Sequence, residues 1–371
     1  MKVIISNDNF FCLWYNKFGE DMKRIVNVFK QDNMTCGYLY FYIHFVTEVV
    51  CFYYLSKITG NSNIVWLVPF IYDGMAFVPQ ALIGYISDKY PKINMGIIGV
   101  ILLVLSYLIY ICFDISVFIS LIVLCLGNAF IHISGAENTL KNSEGKLSHS
   151  AIFVGGGSFG VISGRILASS SINPLLLIPF ILTMVPFILL ADTYKGKSGT
   201  KKFNYVKEGL NPAVVVILAV LVVIVRGYMG YGIPTSWNKT LIQNVVLFFI
   251  MGIGKCLGGI LSDMYGIRKI GIISTLLAIP FLCLGDNLMF ISLIGVMFFS
   301  MTMSITLAIL VSVLKEKPGL AFGLTTIGLF LGTAPIFFVK ITSQVLNISM
   351  IIVLSVLCSY VLGTILKKGS D

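Results

Sequence analysis

Gly259-Ile260-Leu261-Ser262-Asp263-Met264-Tyr265-Gly266-Ile267-Arg268-Lys269 closes one long apolar run, and Gly84-Tyr85-Ile86-Ser87-Asp88-Lys89-Tyr90-Pro91-Lys92 closes another. In each copy a glycine stands four positions before an aspartate, and cations follow within a few residues. A glycine lets two helices approach closely and allows a tight exit from the bilayer. A carboxylate placed there can cap the N-terminus of a neighbouring helix, where free N–H groups and the helix dipole favour negative charge. The cations hold the next loop at the membrane surface. The same arrangement, in the same register in both parts of the chain, points to a duplicated unit.

The sequence around the two copies is that of a membrane protein. Of 371 residues, 57% are hydrophobic and only 11% charged, with a mean hydropathy of +0.94. A water-facing surface needs about 25% charged residues. Apolar runs of roughly 20 residues, each enough to cross about 30 Å of hydrocarbon, recur from residue 34 to the C-terminus. These runs are too long and too evenly apolar for barrel strands, so a helix bundle is expected. The net charge of +10 does not mark a nucleic-acid binder, because the Lys and Arg residues sit in the breaks between runs. The eight cysteines are scattered and form no metal-ligand spacing.

Spans are predicted near 35–56, 64–86, 94–112, 115–138, 149–169, 174–192, 212–233, 241–263, 270–284, 288–313, 319–339 and 346–366. With the N-terminus in the cytoplasm, the inner breaks hold twenty cations and the outer breaks three, Lys57, Lys239 and Lys340. That asymmetry is what the positive-inside rule expects of twelve spans in an inner membrane with both ends cytoplasmic. The chain divides into a cytoplasmic N-terminal segment (1–33), a six-helix half (34–192), a basic linker (193–211) and a second six-helix half (212–371). Ile25, Val26, Val28 and Phe29 suit a short amphipathic helix on the membrane surface. No signal-peptide pattern opens the chain, and Met22 and Met34 also read as starts.

The two motif copies resemble the signature G-x-x-x-D-x-x-G-x-[RK]-[RK] of the major facilitator superfamily. Gly259, Asp263, Gly266, Arg268 and Lys269 match it in full; the first copy matches at Gly84 and Asp88, has Pro91 where the family prefers glycine, and carries its cations at Lys89 and Lys92. The resemblance implies two pseudo-symmetric six-helix halves that rock about a central site. It also implies that Asp88 and Asp263 latch the halves on the cytoplasmic side while the transporter faces outward. Gly127 to Glu137, with His132, and Gly155-Gly156-Gly157 to Arg165 resemble the fosmidomycin-resistance-like branch, an efflux group. Ile133 and Ser134 here replace the Pro and Glu that often follow its histidine.

Ionisable groups within spans are expensive, at about 2.5–3.5 kcal/mol or more near the bilayer centre, so each needs a reason. His44 and Glu48 share one face of the first span, and Asp73 lies at mid-to-outer depth on the second. Desolvation and a neighbouring imidazole or cation decide when such a carboxylate releases its proton, so these three suit proton coupling, or equally a structural pairing. Arg165, Arg226 and Lys255, on the fifth, seventh and eighth spans, either pair with those carboxylates or hold an anionic substrate. His132 either faces the cavity or bonds a carbonyl, and Glu137 with Lys141 reads as a surface pair. Gly156, Gly160 and Gly164, and again Gly328 and Gly332, form small-residue stripes for close packing. Gly227, Gly230, Gly232 and Pro234 predict a break in the outer half of the seventh span, with Tyr228, Tyr231 and Trp237 lining or gating the cavity or, equally, anchoring the chain at the membrane interface.

The expected protein is a monomeric secondary transporter in the lipid bilayer that moves a small solute by alternating access through spans 1, 4, 5, 7, 8 and 10. Proton-coupled efflux of a drug-like or anionic compound is the leading expectation; an uptake permease or a transport-inactive sensor on the same fold are the alternatives. No enzyme is expected, since neither H-E-x-x-H, paired metal ligands nor a serine elbow is present, and no metal, cofactor or nucleic acid is called for.

Overall fold

A computed structural model describes residue 20 and residues 34–59, 67–112, 117–170, 172–194, 199–339 and 343–368. The amphipathic segment expected at 25–29, together with Lys195, Lys197 and Lys340, lies outside the described residues. Among the described residues, twelve helices are long and apolar enough to span a membrane. They are α1 (Thr35–Thr59), α2 (Leu67–Lys89), α3 (Met95–Cys112), α4 (Val117–Asn142), α5 (Ser148–Ala168), α6 (Pro174–Thr193), α7 (Pro212–Gly232), α8 (Leu241–Tyr265), α9 (Ile267–Leu284), α10 (Met289–Val313), α11 (Pro318–Phe337) and α12 (Gln344–Ile365). Every predicted span has its helix.

Local chemistry sets several ends. Asn211 accepts a hydrogen bond from Ala213 N–H ahead of Pro212, whose missing donor is no loss in a first helical turn. Thr240 and Gln243 form a reciprocal capping box at the start of α8. α8 stops at Gly266, which takes φ 93°, a left-handed value that a side chain would strain. The first motif copy turns differently: Tyr90, at φ −124°, closes α2 ahead of Pro91. A glycine is therefore needed only in the second copy. Inside α2, Val78 and Pro79 interrupt the helix, because proline supplies no N–H to the ladder.

The seventh span does not break. α7 runs unbroken through Gly227 and Gly230 to Gly232, where Ile233 turns extended. Gly227 is used for packing, since a methyl there would come 2.8 Å from the Leu329 carbonyl oxygen of α11. The Tyr228 hydroxyl lies 3.6 Å from Met350 Sδ on α12, so this ring fills a helix–helix seam. The Tyr231 side chain lies outside the described residues. Trp237 is buried and is no interfacial anchor.

The packing repeats between the halves. Gly156, Gly160 and Gly164 of α5 lie on the backbone carbonyls of Phe41, Phe45 and Val49 of α1. Gly332 of α11 lies on the carbonyl of Ile224, and Gly328 against Val220 and Val223, all of α7. The fifth helix of each half thus packs on the first helix of its own half. Each fifth helix also meets the second helix of the opposite half: Gly84 and Ala81 of α2 touch Gly319 and Gly323 of α11, while Gly259 of α8 touches Leu147 and Ala151 at α5. Bare backbone on both sides is what lets these four helices come so close.

Residues 199–211 fold onto the end of the bundle that carries the basic loops. Phe203 is fully buried there. Val206 forms a single β-bridge with Leu366, flanked by Lys207 N–H to the Ile365 carbonyl (3.0 Å) and Lys367 N–H to the Tyr205 carbonyl (2.9 Å). The Tyr205 hydroxyl donates to the Gly145 carbonyl at 2.5 Å, in the turn between α4 and α5.

Candidate transport site

α1 carries His44 and Glu48 one turn apart, and α4 carries Asn128 and His132 at the same spacing. The sequence therefore presents two polar faces, and the bundle turns them toward each other. His44 Nε2 stands 3.7 Å and His132 Nε2 3.5 Å from Glu48 Oε1. The Asn128 amide donates to the same oxygen at 2.9 Å and to the Tyr72 hydroxyl at 3.0 Å. Both imidazoles are fixed from behind: His44 Nδ1 is 2.8 Å from the Phe153 carbonyl, and His132 Nδ1 is 2.9 Å from the Asn128 carbonyl. A carbonyl only accepts, so Nδ1 carries the proton in each ring and Nε2 faces the carboxylate. Gly157 makes room for this, because a methyl there would overlap the His44 ring. The His44–Glu48 pairing read from the sequence is thus one side of a three-residue cluster. Of the two readings weighed for His132, the structure shows the bond to a carbonyl.

Asp73 stands elsewhere. Its carboxylate, 7% exposed, makes no hydrogen bond or ion pair among the described residues and lies on the wall of a cavity of about 280 Å³. Phe52, Tyr72, Arg165, Thr333 and Phe337 share that wall. α11 starts at the basic face and reaches the cavity only at its far end, so the cavity belongs to the opposite half of the bundle. The Arg165 guanidinium is held between Phe52 and Phe248, 5.3 and 5.1 Å from the ring centres.

Arg226 and Lys255 stand without an ion-paired carboxylate among the described residues, although Arg226 is only 9% exposed. Lys255 Nζ donates to Ser158 Oγ of α5 at 2.8 Å. Arg226 borders a small inner void with Val154, Ser304, Thr306, Phe322 and Thr325. Phe322 also stacks on His132, with ring planes 28° apart, and no member of the three-residue cluster lines this void. These two cavities are lined by α1, α2, α5, α7, α10 and α11. α4 and α8, expected among the lining helices, contribute to neither, while α2 and α11 do.

At the basic face, Asp88 Oδ1 and Oδ2 accept from Gly319 N–H (3.0 Å) and Leu320 N–H (2.8 Å) at the start of α11. Asp263 Oδ1 and Oδ2 accept from Leu147 N–H (2.8 Å) and Ser148 N–H (2.9 Å) at the start of α5. Glu137 is paired with Lys141 at 3.2 Å, yet it is no surface residue: it is 8% exposed and its Oε1 lies against Gly319. Sequence reasoning missed Asn128, Tyr72, Ser158 and Gly157. A signal existed for Asn128, a polar residue one turn before His132 in an apolar helix. For Gly157, one glycine of three in a row, there was none.

No family model and no curated protein matches the sequence. Solved structures do. A crystal structure of the human organic anion transporter MFSD10 (TETRAN) superposes with a TM-score of 0.64 at 11% identity, covering 90% of this chain and all of that one. The fucose:proton symporter FucP of E. coli, in a single-site variant, gives 0.58 at 13% identity over 88% of this chain and 97% of that one. An outward-conformation structure of FucP gives 0.55 at 12% identity over 86% and 98%. The chain is a multi-pass membrane protein that shares the twelve-helix fold of these structures. Its fold is that of the major facilitator superfamily.

Proposed function

We propose that this protein carries a small organic anion across the membrane by alternating access, with Arg226 and Lys255 as the anion's partners and Asp73 as the group that exchanges protons. The observation that carries the reading is a pair of cations, Arg226 buried and Lys255 half-buried, that form no ion pair among the described residues. An uncompensated buried charge is strongly destabilising, so Arg226 calls for an anion that arrives from outside, and Lys255, bonded to α5 across the junction of the halves, can share it. Asp73 suits the exchange of protons because it opens on the larger cavity, with Arg165 across it. His44 and Glu48, expected to share that role, line neither cavity. The closed basic face and the cavity in the opposite half correspond to one end of an alternating cycle. Asp88 and Asp263 hold that end shut.

Efflux is the direction that the resemblance of the fourth and fifth spans implies. The fold match to a sugar:proton symporter favours the second reading, uptake together with protons. Purified protein in proteoliposomes, given an imposed pH gradient and a panel of labelled aromatic carboxylates and phosphonates, separates the two by the direction of movement. Arg226→Ala should abolish transport, and Asp73→Asn should leave exchange that ignores the gradient. If wild-type vesicles move no anion, and no anion of the panel raises the melting temperature, the reading fails.

A further inference from the structure

His44, Glu48 and His132 come from two helices, are each no more than 7% exposed, and offer three donor atoms within 4.8 Å of one another. Both rings spend their Nδ1 protons on backbone carbonyls, which leaves both Nε2 lone pairs aimed at one carboxylate oxygen. Three acceptors facing one another repel unless a cation lies among them. A shared proton would draw an imidazole and a carboxylate together to about 2.7–2.9 Å. The observed 3.5 and 3.7 Å are too long for that. Donors placed about 2.0–2.1 Å from a tetrahedral zinc stand roughly 3.3–3.4 Å apart, so contraction by a few tenths of an ångström would build the two edges to Glu48, and the third, between the imidazoles, closes from no more than 4.8 Å. The backbone carbonyls and the Asn128 amide already supply the outer hydrogen bonds that orient metal-binding histidines and carboxylates.

We infer that His44, Glu48 and His132 form a binding site for a divalent late transition metal, with zinc as the best match to two imidazoles and a carboxylate. The metal would tie α1 to α4 inside the first half and leave its fourth position open beside Asn128 and Tyr72. The inference stands apart from anion transport and holds or fails without it.

The test uses full-length protein in detergent with zinc alone, at neutral pH. After equilibration and removal of free metal, wild type should retain one zinc per chain and release it to a strong chelator. The double variant His44→Ala/His132→Ala should retain none, and Asn128→Ala should weaken binding about 10-fold or more. If the double variant misfolds, wild type loaded with cobalt decides: an intense visible band marks tetrahedral coordination by nitrogen and oxygen. Retention of no zinc by wild type, equal retention by the double variant, or a pale octahedral cobalt spectrum would each overturn the site.

Discussion

Asp88 and Asp263 make the same connection in opposite directions. Each ends the second helix of one half and binds two consecutive backbone N–H groups that open the fifth helix of the other. The carboxylate meets donors the helix cannot use itself, at the positive end of its dipole. The glycine one turn earlier lets the backbones close to this distance. Asparagine keeps the shape but turns one NH₂ toward an N–H, so each substitution loses one charge-assisted bond and leaves a donor facing a donor. Asp88→Asn and Asp263→Asn should each favour opening of the basic face by about 1–3 kcal/mol. Spin labels on the α2–α3 and α10–α11 loops should report a longer distance population in both variants. Unchanged distances in both would remove the latch.

Gly157 and His44 are coupled by space. A methyl at Gly157 would occupy the imidazole's position, so Gly157→Ala should destabilise by about 1–3 kcal/mol through overpacking. Removing the ring with His44→Ala should relieve much of that strain, so the double variant should lose less than the sum of the single variants. Melting temperatures of the four proteins check this. Additive losses would mean that the ring is held somewhere else.

The spans, their number and the two aspartates were legible because each is a local pattern: an apolar run of fixed length, or a glycine and a carboxylate one turn apart at its end. The His44–Glu48 face was legible for the same reason. The third member was not. His132 comes to Glu48 through the packing of α4 on α1, and no spacing in the sequence carries that distance. The broken seventh span was misread because Gly227, Gly230 and Gly232 suit a break and a close contact equally well. α11 decides between them by placing the Leu329 carbonyl and Gly332 against Gly227. Arg226 and Lys255 were visible as costly residues, but their lack of carboxylate partners is a property of the folded bundle alone.

Arg226 should separate stability from binding. A buried guanidinium without a counter-charge works against the empty protein, and an unbranched apolar side chain of similar length removes that penalty. Arg226→Met should therefore raise the melting temperature of the ligand-free protein, by the equivalent of about 1 kcal/mol or more, while abolishing stabilisation by anions. Thermal unfolding with and without the anion panel reads both effects. A variant that is both less stable and still anion-responsive would show that Arg226 is a structural residue.

Tyr205 ties the segment between the halves to the α4–α5 turn, and its environment gives that tie a pH limit. Burial, reinforced by the Asp263 charge, pushes the phenol's pKa up from its ordinary value of 10.0. The unfolded chain ionises this group near pH 10 while the folded chain keeps it neutral. The stability it contributes is therefore full below pH 10 and declines as pH rises from there toward the folded value. Tyr205→Phe should lower stability at neutral pH by about 1 kcal/mol, the net worth of one hydrogen bond to the Gly145 carbonyl. The same change should flatten the decline above pH 10, because the variant has no phenol there to ionise. Melting curves of wild type and variant from pH 7 to about 11 should therefore converge as pH rises. Curves that stay parallel would mean that the Tyr205 hydroxyl is not held in the Gly145 contact.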